Sequence, residues 1–515
     1  MAMANPTVVL VPVWGVGHFV PMIEAGKRLL AAARGGGRPL TLTLLIMPAP
    51  TEKRASEIAD HIRDVEQDSE SSGLGIRFLY LPAAPAPPPA AGAGAGYSGP
   101  EEFISLSMQQ YAPHVRAAVA GLLCPVAAVV VDLFCTPLLD AAHGLGVPAY
   151  VYLICSAAMC ALLLRAPALD DEASAAGGGG GGGEDAQFGE AVHVPGLPPV
   201  PPSCLPTGLV DRTVPAYEWF VYNGRRYMEA AGLIVNTVAE LEPRVLAAIA
   251  DGQCTRGVRP PPVYTVGPVL ADSTPPAAPP AAEQEAEHEC VRWLHSQPPR
   301  SVVFLCFGSA RFFTAEQAGE VAAALDRSGR RFLWVLRGPP ARGEKMFTDG
   351  DLAAILPAGF LERTKHRGLV WPRWAPQREI LAHAAIGGFV THCGWNSALE
   401  SLAAGVPMLP WPWAAEQHYN AFVLAAGVGA AVRVEVDRSR DSFVEAAELE
   451  RAIEALFGDD GEEGRKARET ALEIKAACWK AVEEGGSSLA SLRRLSDALH
   501  QGAVDVLPAS QDSEV

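Results

Sequence analysis

Positive charge is in short supply. Lys and Arg number 41 against 58 Asp and Glu, which leaves the 515-residue chain at −17. That balance disfavours a sequence-independent grip on nucleic acid or on an anionic membrane surface, so any phosphate-bearing ligand must be held by local chemistry. Long apolar runs are also missing, and none reaches the ~20 residues needed to span a bilayer. The N-terminus has no basic n-region and no cleavage site before its first apolar strand, and no Asn-x-Ser/Thr acceptor survives because Asn5 precedes a proline. The ten cysteines form no CxxC pair and no regular framework. Cys135, Cys155, Cys160, Cys306 and Cys393 lie in apolar segments and read as reduced core residues. Together these absences lead us to expect a soluble, cytoplasmic protein with neither nucleic acid nor membrane as partner; a monomer is the expected state.

What is present suits a folded enzyme: 49% apolar and 19% charged residues in a chain about three times the common domain size. Short β-rich apolar runs alternate with helical patterns, the signature of doubly wound parallel α/β sheets. In the first half the strand candidates are Thr7 to Pro12, Leu40 to Met47, Ile76 to Leu81, Ala127 to Phe134, Ala149 to Ile154 and Gly232 to Asn236, with helices such as Glu101 to Leu123 and Pro137 to Leu145. The pattern restarts with Ser301 to Phe307, a helix Thr314 to Arg327, then Arg331 to Leu336, Gly368 to Val370, Gly388 to Thr391 and Met408 to Trp411. Between the halves, Val269 to Glu287 has linker composition. The expected division is 1–268, a linker 269–289, 290–480, and 481–515 as a helix returning to the first domain with a polar tail. Pro82 to Gly96 and the glycine run Gly177 to Gly183 read as surface loops, since a phosphate loop needs a fixed geometry ending in a helix.

The densest chemistry lies between Trp374 and Gln417: Trp374-Ala375-Pro-Gln377, His383, His392-Cys-Gly394-Trp395-Asn396-Ser397, Glu400, Gly405-Val-Pro407 and Glu416-Gln417. A strand running through a glycine turn at Gly394 into a helix makes an anion site, where free N–H groups and the helix dipole meet phosphate oxygens. His392 can add a charged or hydrogen-bonding contact, Asn396 and Ser397 supply short donors, and Glu400, one turn on, can accept ribose hydroxyls. Trp374 offers a flat face for a base, and Gln377 can bond to polar groups of the nucleotide. Singly, each could be a core aromatic or a helix cap; together they suit a nucleoside diphosphate held without metal.

This segment resembles the signature box of plant secondary-product glycosyltransferases, the flavonoid and phenolic type of the family 1 UDP-glycosyltransferases. The resemblance implies a GT-B fold of two Rossmann-like domains facing across a cleft, with the first domain binding the acceptor and the second the UDP-sugar. It further implies that Trp374 stacks on uracil, Ala375 and Gln377 contact the uridine, and Glu400 holds the ribose. His392, Gly394, Trp395, Asn396 and Ser397 would hold the diphosphate, joined by Ser309, while Ala415, Glu416 and Gln417 would hold the sugar. UDP-glucose would be a co-substrate and no cofactor or metal is implied.

In an open α/β sheet the ligand crevice lies outside the carboxyl ends of the strands. The first strand runs into Trp14-Gly-Val-Gly-His18 and the strand from Ala127 ends at Asp132, so a carboxylate can orient an imidazole there. The family pattern coincides, with His18 as general base and Asp132 as its partner in inverting transfer. Ser156 is a further donor-side candidate, and Trp14, Met108 and Phe134 are acceptor-side candidates. Asp140 and His143 read as surface residues, and Asp349-Gly-Asp351 as a solvated loop that only imitates a metal-binding DxD. Trp395 stands where glucuronate-using relatives carry arginine, and Gln417 where galactose-using relatives tend to have histidine; glucose is therefore the expected sugar. The acceptor expectation is a flavonoid, anthocyanidin or simpler phenol, with C-glycosylation, a UDP-sugar epimerase or hydrolase, and a non-catalytic UDP-sugar-binding protein as alternatives.

Overall fold

The computed structural model describes residues 5–87, 96–175, 191–270, 287–308, 312–339, 349–458 and 461–506. These form two compact units: one drawn from 1–202, 208–271 and 480–515, the other from 203–207 and 272–479. The glycine run Gly177 to Gly183 and Ser309 lie outside the described residues.

The first unit is built on a parallel sheet of β1 (Thr7–Val11), β2 (Thr41–Ile46), β3 (Ile76–Tyr80), β4 (Val126–Asp132), β5 (Ala149–Leu153), β6 (Gly232–Val235) and β7 (Val263–Thr265), in the order β3-β2-β1-β4-β5-β6-β7. Helices cover both faces of such a sheet, so its central strands read as unbroken apolar runs rather than alternating ones. Every residue of β1, β4 and β5 is buried. The chain winds outward from β1 to β3 and then returns to place β4 on the other side of β1, with Val11 level with Val131. The gap between the carboxyl ends of β1 and β4 is thus the topological switch point, where such sheets bind ligands. The final helix, Ser487–Val506, packs on β4, β7 and the helix Val16–Gly35 of this same unit, and the Ser488 hydroxyl donates to the Gly267 carbonyl at 2.6 Å.

The second unit repeats the plan with β8 (Val302–Cys306), β9 (Arg331–Val335), β10 (Gly368–Trp371), β11 (Ile386–Thr391) and β12 (Met408–Pro410), ordered β10-β9-β8-β11-β12. Its switch point falls between β8 and β11, with Cys306 level with Thr391. One core cluster fills one face of this sheet, from Val303 and Leu305 through Trp334 and Trp411 to Leu449 and Ile453.

The structure departs from the sequence expectation in identifiable places. Most expected strands lose a residue or two at their ends, and the expected Ala127 to Phe134 closes at Asp132, where the carboxylate turns to accept the Phe134 N–H at 3.1 Å. The expected helix Pro137 to Leu145 is a 3₁₀ turn Thr136–Leu138 followed by a short helix Leu139–His143. β7 was not anticipated, because its three residues follow Pro260, Pro261 and Pro262 and carry no period. Among the described residues no helix is long and apolar enough to cross a membrane, and no disulfide joins the cysteines. Burial pushes the thiols of Cys135, Cys160 and Cys393 upward, which suits unreactive core residues.

Candidate active site

At the β1/β4 switch point the chain leaves β1 and enters the helix Val16–Gly35 through Gly15, which puts His18 in the first helical turn. His18 Nδ1 lies 2.8 Å from Asp132 Oδ2. The Asp132 side chain is fully buried, whereas that of His18 keeps 25% of its surface. A carboxylate only accepts, so Nδ1 carries the proton and Nε2 carries the lone pair. Asp132 is itself fixed, because its second oxygen takes the Phe134 N–H and its own carbonyl takes the Cys135 N–H at 2.8 Å. The pair is separated by 114 residues in sequence and joined only because β1 and β4 are neighbours. The Phe134 ring lies 6.2 Å from the imidazole and meets Phe220 edge-on at 5.9 Å.

The other candidates of this unit are corrected by their burial. Met108 is fully buried and Trp14 retains 7% of its surface, packed on Phe103 and Tyr111, so both are core residues; of the three expected acceptor contacts only Phe134 keeps appreciable surface. Ser156 is also fully buried, and its hydroxyl accepts the Met159 N–H at 3.0 Å, which caps the helix Ala157–Ala175 rather than facing a sugar. Asp140, His143 and Glu229 bring ligand atoms within 4.8 Å of one another on an exposed surface, but Arg226 already bridges Asp140 at 2.6 Å and Glu229 at 2.7 Å.

At the β8/β11 switch point, β11 runs into His392, Cys393 and Gly394, and the helix Trp395–Ala404 begins. The left-handed residue is Cys393, with φ 63°, and not Gly394, which has φ −58°. Glycine is needed at 394 for another reason: a Cβ there would lie 2.6 Å from His392 Nε2. The N-cap residue, Gly394, makes no side-chain cap, and the dipole of this helix favours an anion at its start. Burial lowers the His392 pKa to about 4, so the imidazole is neutral near pH 7 and, of the charged or hydrogen-bonding contact expected of it, the hydrogen-bonding form applies. The Trp395 side chain is buried. Ser397 and Glu400 meet through Gln377, whose Nε2 donates to Ser397 Oγ at 2.9 Å and to Glu400 Oε2 at 2.7 Å. The Gln377 amide hydrogens are therefore engaged and its oxygen is the group left for a base. Burial raises the Glu400 pKa, while Gln377 and Arg378 pull it back. Trp374 is half-buried, its carbonyl accepts the Trp371 indole N–H at 2.9 Å, and Ala375 is buried beside it.

The remaining candidates follow β12. Ala415 is left-handed, with φ 53°, and its carbonyl accepts the Thr207 N–H at 3.0 Å. Gln417 Oε1 accepts from the N–H groups of Trp413 and Ala414 at 2.9 and 3.1 Å, so its amide NH₂ is the end left for a ligand. Sequence reasoning missed the segment 203–207, which belongs to this unit and is held by Arg438 through the carbonyls of Ser203 and Leu205 at 2.8 and 3.1 Å. It also missed His288, whose ring lies 5.2 Å from Trp371 and 6.4 Å from Trp374. Asp351 of the DxD-like pair is a helix cap, its carboxylate accepting from Ala353 and Ala354.

A sequence profile described as UDP-glucoronosyl and UDP-glucosyl transferase matches residues 279–462. The chain is 56% identical to malvidin galactosylase UGT88C3 of Oryza sativa subsp. japonica, over 98% of this chain and 100% of that protein. It is 35% identical to an anthocyanidin 5,3-O-glucosyltransferase of a Rosa hybrid cultivar, over 97% of this chain and 100% of that one. The structure of Phytolacca americana UGT2 complexed with UDP-2fluoro-glucose and pterostilbene aligns with a TM-score of 0.77 at 31% identity, covering 96% of this chain and 100% of that one. Two Rossmann-like units on parallel sheets, with this likeness, define an α/β protein of the GT-B class. The chain belongs to the plant family 1 UDP-glycosyltransferases and is a UDP-sugar-dependent glycosyltransferase.

Proposed function

We propose that this enzyme transfers glucose from UDP-glucose, with inversion, to a hydroxyl of a flavonoid, anthocyanidin or simpler phenol. The observation that carries the reading is the 2.8 Å contact between His18 Nδ1 and the buried Asp132 carboxylate, which leaves Nε2 as the base. A phenol and an imidazole differ enough in acidity that full proton transfer before attack costs roughly 5 kcal/mol. His18 therefore takes the proton as the acceptor oxygen attacks the anomeric carbon, and Asp132 stabilises the imidazolium that forms. The departing UDP gathers charge on its diphosphate, which the dipole at the start of helix Trp395–Ala404 meets without a metal. The acceptor class is supported by the activities for which the rice and rose relatives are named. We read the enzyme as a cytoplasmic monomer.

The sugar rests on Glu416 as acceptor and the Gln417 NH₂ as donor, a pair suited to neighbouring hydroxyls, while the buried Trp395 provides no cation for a carboxylated sugar. Galactose is the second reading, favoured by the name of the rice relative at 56% identity. Purified enzyme given equal UDP-glucose and UDP-galactose, an anthocyanidin acceptor and a chelator should form mainly the O-glucoside at an undiminished rate. A mainly galactosylated product establishes the second reading, an acid-stable C-linked product overturns O-transfer, and loss of activity restored by Mg²⁺ or Mn²⁺ overturns the metal-free site. UDP release that does not need acceptor would favour a hydrolase.

A further inference from the structure

Asn420 is completely buried on the short helix Gln417–Phe422, one turn beyond Glu416. Its side-chain Nδ2 donates to the Cys393 carbonyl at 2.9 Å and to Glu416 Oε1 at 3.3 Å. Both partners only accept, so the network itself fixes which end of the amide faces them. The oxygen Oδ1 meets no donor among the described residues, which marks the NH₂ as the working end of this side chain.

Each of the two contacts has a consequence. Cys393 is held in the left-handed region, and such a conformation persists in a residue with a Cβ only where its surroundings over-determine it. The Cys393 carbonyl and the Gly394 N–H belong to one rigid peptide plane. Holding the carbonyl therefore fixes the direction of the N–H that begins the anion-binding helix start. The second hydrogen of the same amide holds Glu416. We infer that Asn420 is a positioning residue, whose single NH₂ group sets the diphosphate turn and the sugar-binding carboxylate in one fixed relation. This rests on the reading above that Glu416 contacts the donor sugar.

The test compares full-length wild type, Asn420→Asp, Glu416→Gln and the double variant, with kcat/KM for UDP-glucose measured from about pH 5.5 to pH 8. Asn420→Asp is nearly isosteric but faces a carbonyl and a carboxylate with a further carboxylate. Near pH 8 it should lose at least ~10-fold in kcat/KM, the scale of one lost charge-assisted hydrogen bond. The loss should shrink on acidification, when one proton shared between the introduced carboxylate and Glu416 restores a donor. Adding Glu416→Gln should relieve part of the Asn420→Asp defect. A purely structural role would lower Tm and leave the pH profile of kcat/KM parallel to wild type, and that result overturns the inference. Should Asn420→Asp fail to fold, Asn420→Ala takes its place: it should show a loss that does not recover at low pH together with weaker discrimination between UDP-glucose and UDP-galactose. Unchanged discrimination would then overturn the inference. If Glu416→Gln alone leaves donor kinetics untouched, it is the reading of Glu416 that fails.

Discussion

His18 and His392 each lie near the switch point of their own unit's sheet, but after different strands: His18 follows β1 and sits in the first turn of the next helix, whereas His392 directly follows β11, the counterpart of β4. Their surroundings differ. His18 has a buried carboxylate on Nδ1 and a quarter of its side chain exposed. His392 has a buried Nδ1 with no hydrogen-bond partner among the described residues, and burial drives its pKa to about 4. An imidazole held by a carboxylate can receive a proton at modest cost, whereas one enclosed without a counter-charge stays neutral. On the proposed reading, the switch-point histidine of one unit therefore serves proton chemistry and that of the other serves neutral, dipolar anion binding. The partner side chain decides which.

The strongest way to break this comparison is to exchange its consequences. His18→Ala should lower kcat by at least ~10²-fold, the usual worth of a general base, with UDP affinity nearly unchanged. Asp132→Asn should follow with a smaller loss, through a mis-set tautomer. His392→Gln keeps a neutral hydrogen-bonding group and should cost about tenfold or less, mainly in KM for the UDP-sugar. Single-turnover kinetics with UDP binding measured in parallel would decide; equal kcat losses at positions 18 and 392 would end the distinction.

How much of this was legible depends on whether the signal is local. The α/β class was readable because both faces of each sheet are covered, so strands such as β1 and β8 appear as unbroken apolar runs. The segment from Trp374 to Gln417 is contiguous, and its spacing brings Ser397 and Glu400 to one face of a helix where both meet Gln377. His18 and Asp132 could be placed at strand ends, but their 2.8 Å contact depends on β1 and β4 being neighbours, which no local pattern specifies. Met108 and Ser156 misled because apolar character or a hydroxyl near a strand end does not tell which way a side chain faces. Arg438 was invisible for the opposite reason: it holds Ser203 across 235 residues of sequence.

A second comparison concerns helix starts. The helix Ala157–Ala175 has its first N–H groups satisfied from within: Ala157 and Ala158 donate to Glu242 at 2.8 and 2.7 Å, and the Thr237 hydroxyl adds a third donor at 2.7 Å. The helix Trp395–Ala404 begins instead after Gly394, an N-cap residue with no side chain to cap it. Glu242 thus does inside the protein what a ligand anion would do at Trp395. Burial raises the Glu242 pKa and these three donors lower it. Glu242→Gln turns an NH₂ group toward N–H donors and should destabilise the protein by about 2 kcal/mol. Denaturant unfolding would measure it, and a variant as stable as wild type would refute the capping role.

The smallest effect separates a buried neutral histidine from one with a carboxylate beside it. His418 resembles His392: it is buried, and burial, reinforced by Arg438, lowers its pKa to about 4. In the unfolded chain a histidine titrates near ~6.5. Between about pH 4 and that value the unfolded state binds a proton that the folded state refuses, so stability rises with pH across this window and falls as pH is lowered through it. At about pH 5.5 each such group should remove roughly 1 kcal/mol relative to neutral pH. His418→Gln deletes one of these contributions and should flatten the acid side of the stability profile. The difference in unfolding free energy between wild type and His418→Gln should therefore shift in favour of the variant as pH falls from about 7 to about 5. Profiles that stay parallel over that range would show that His418 is not held neutral by its burial.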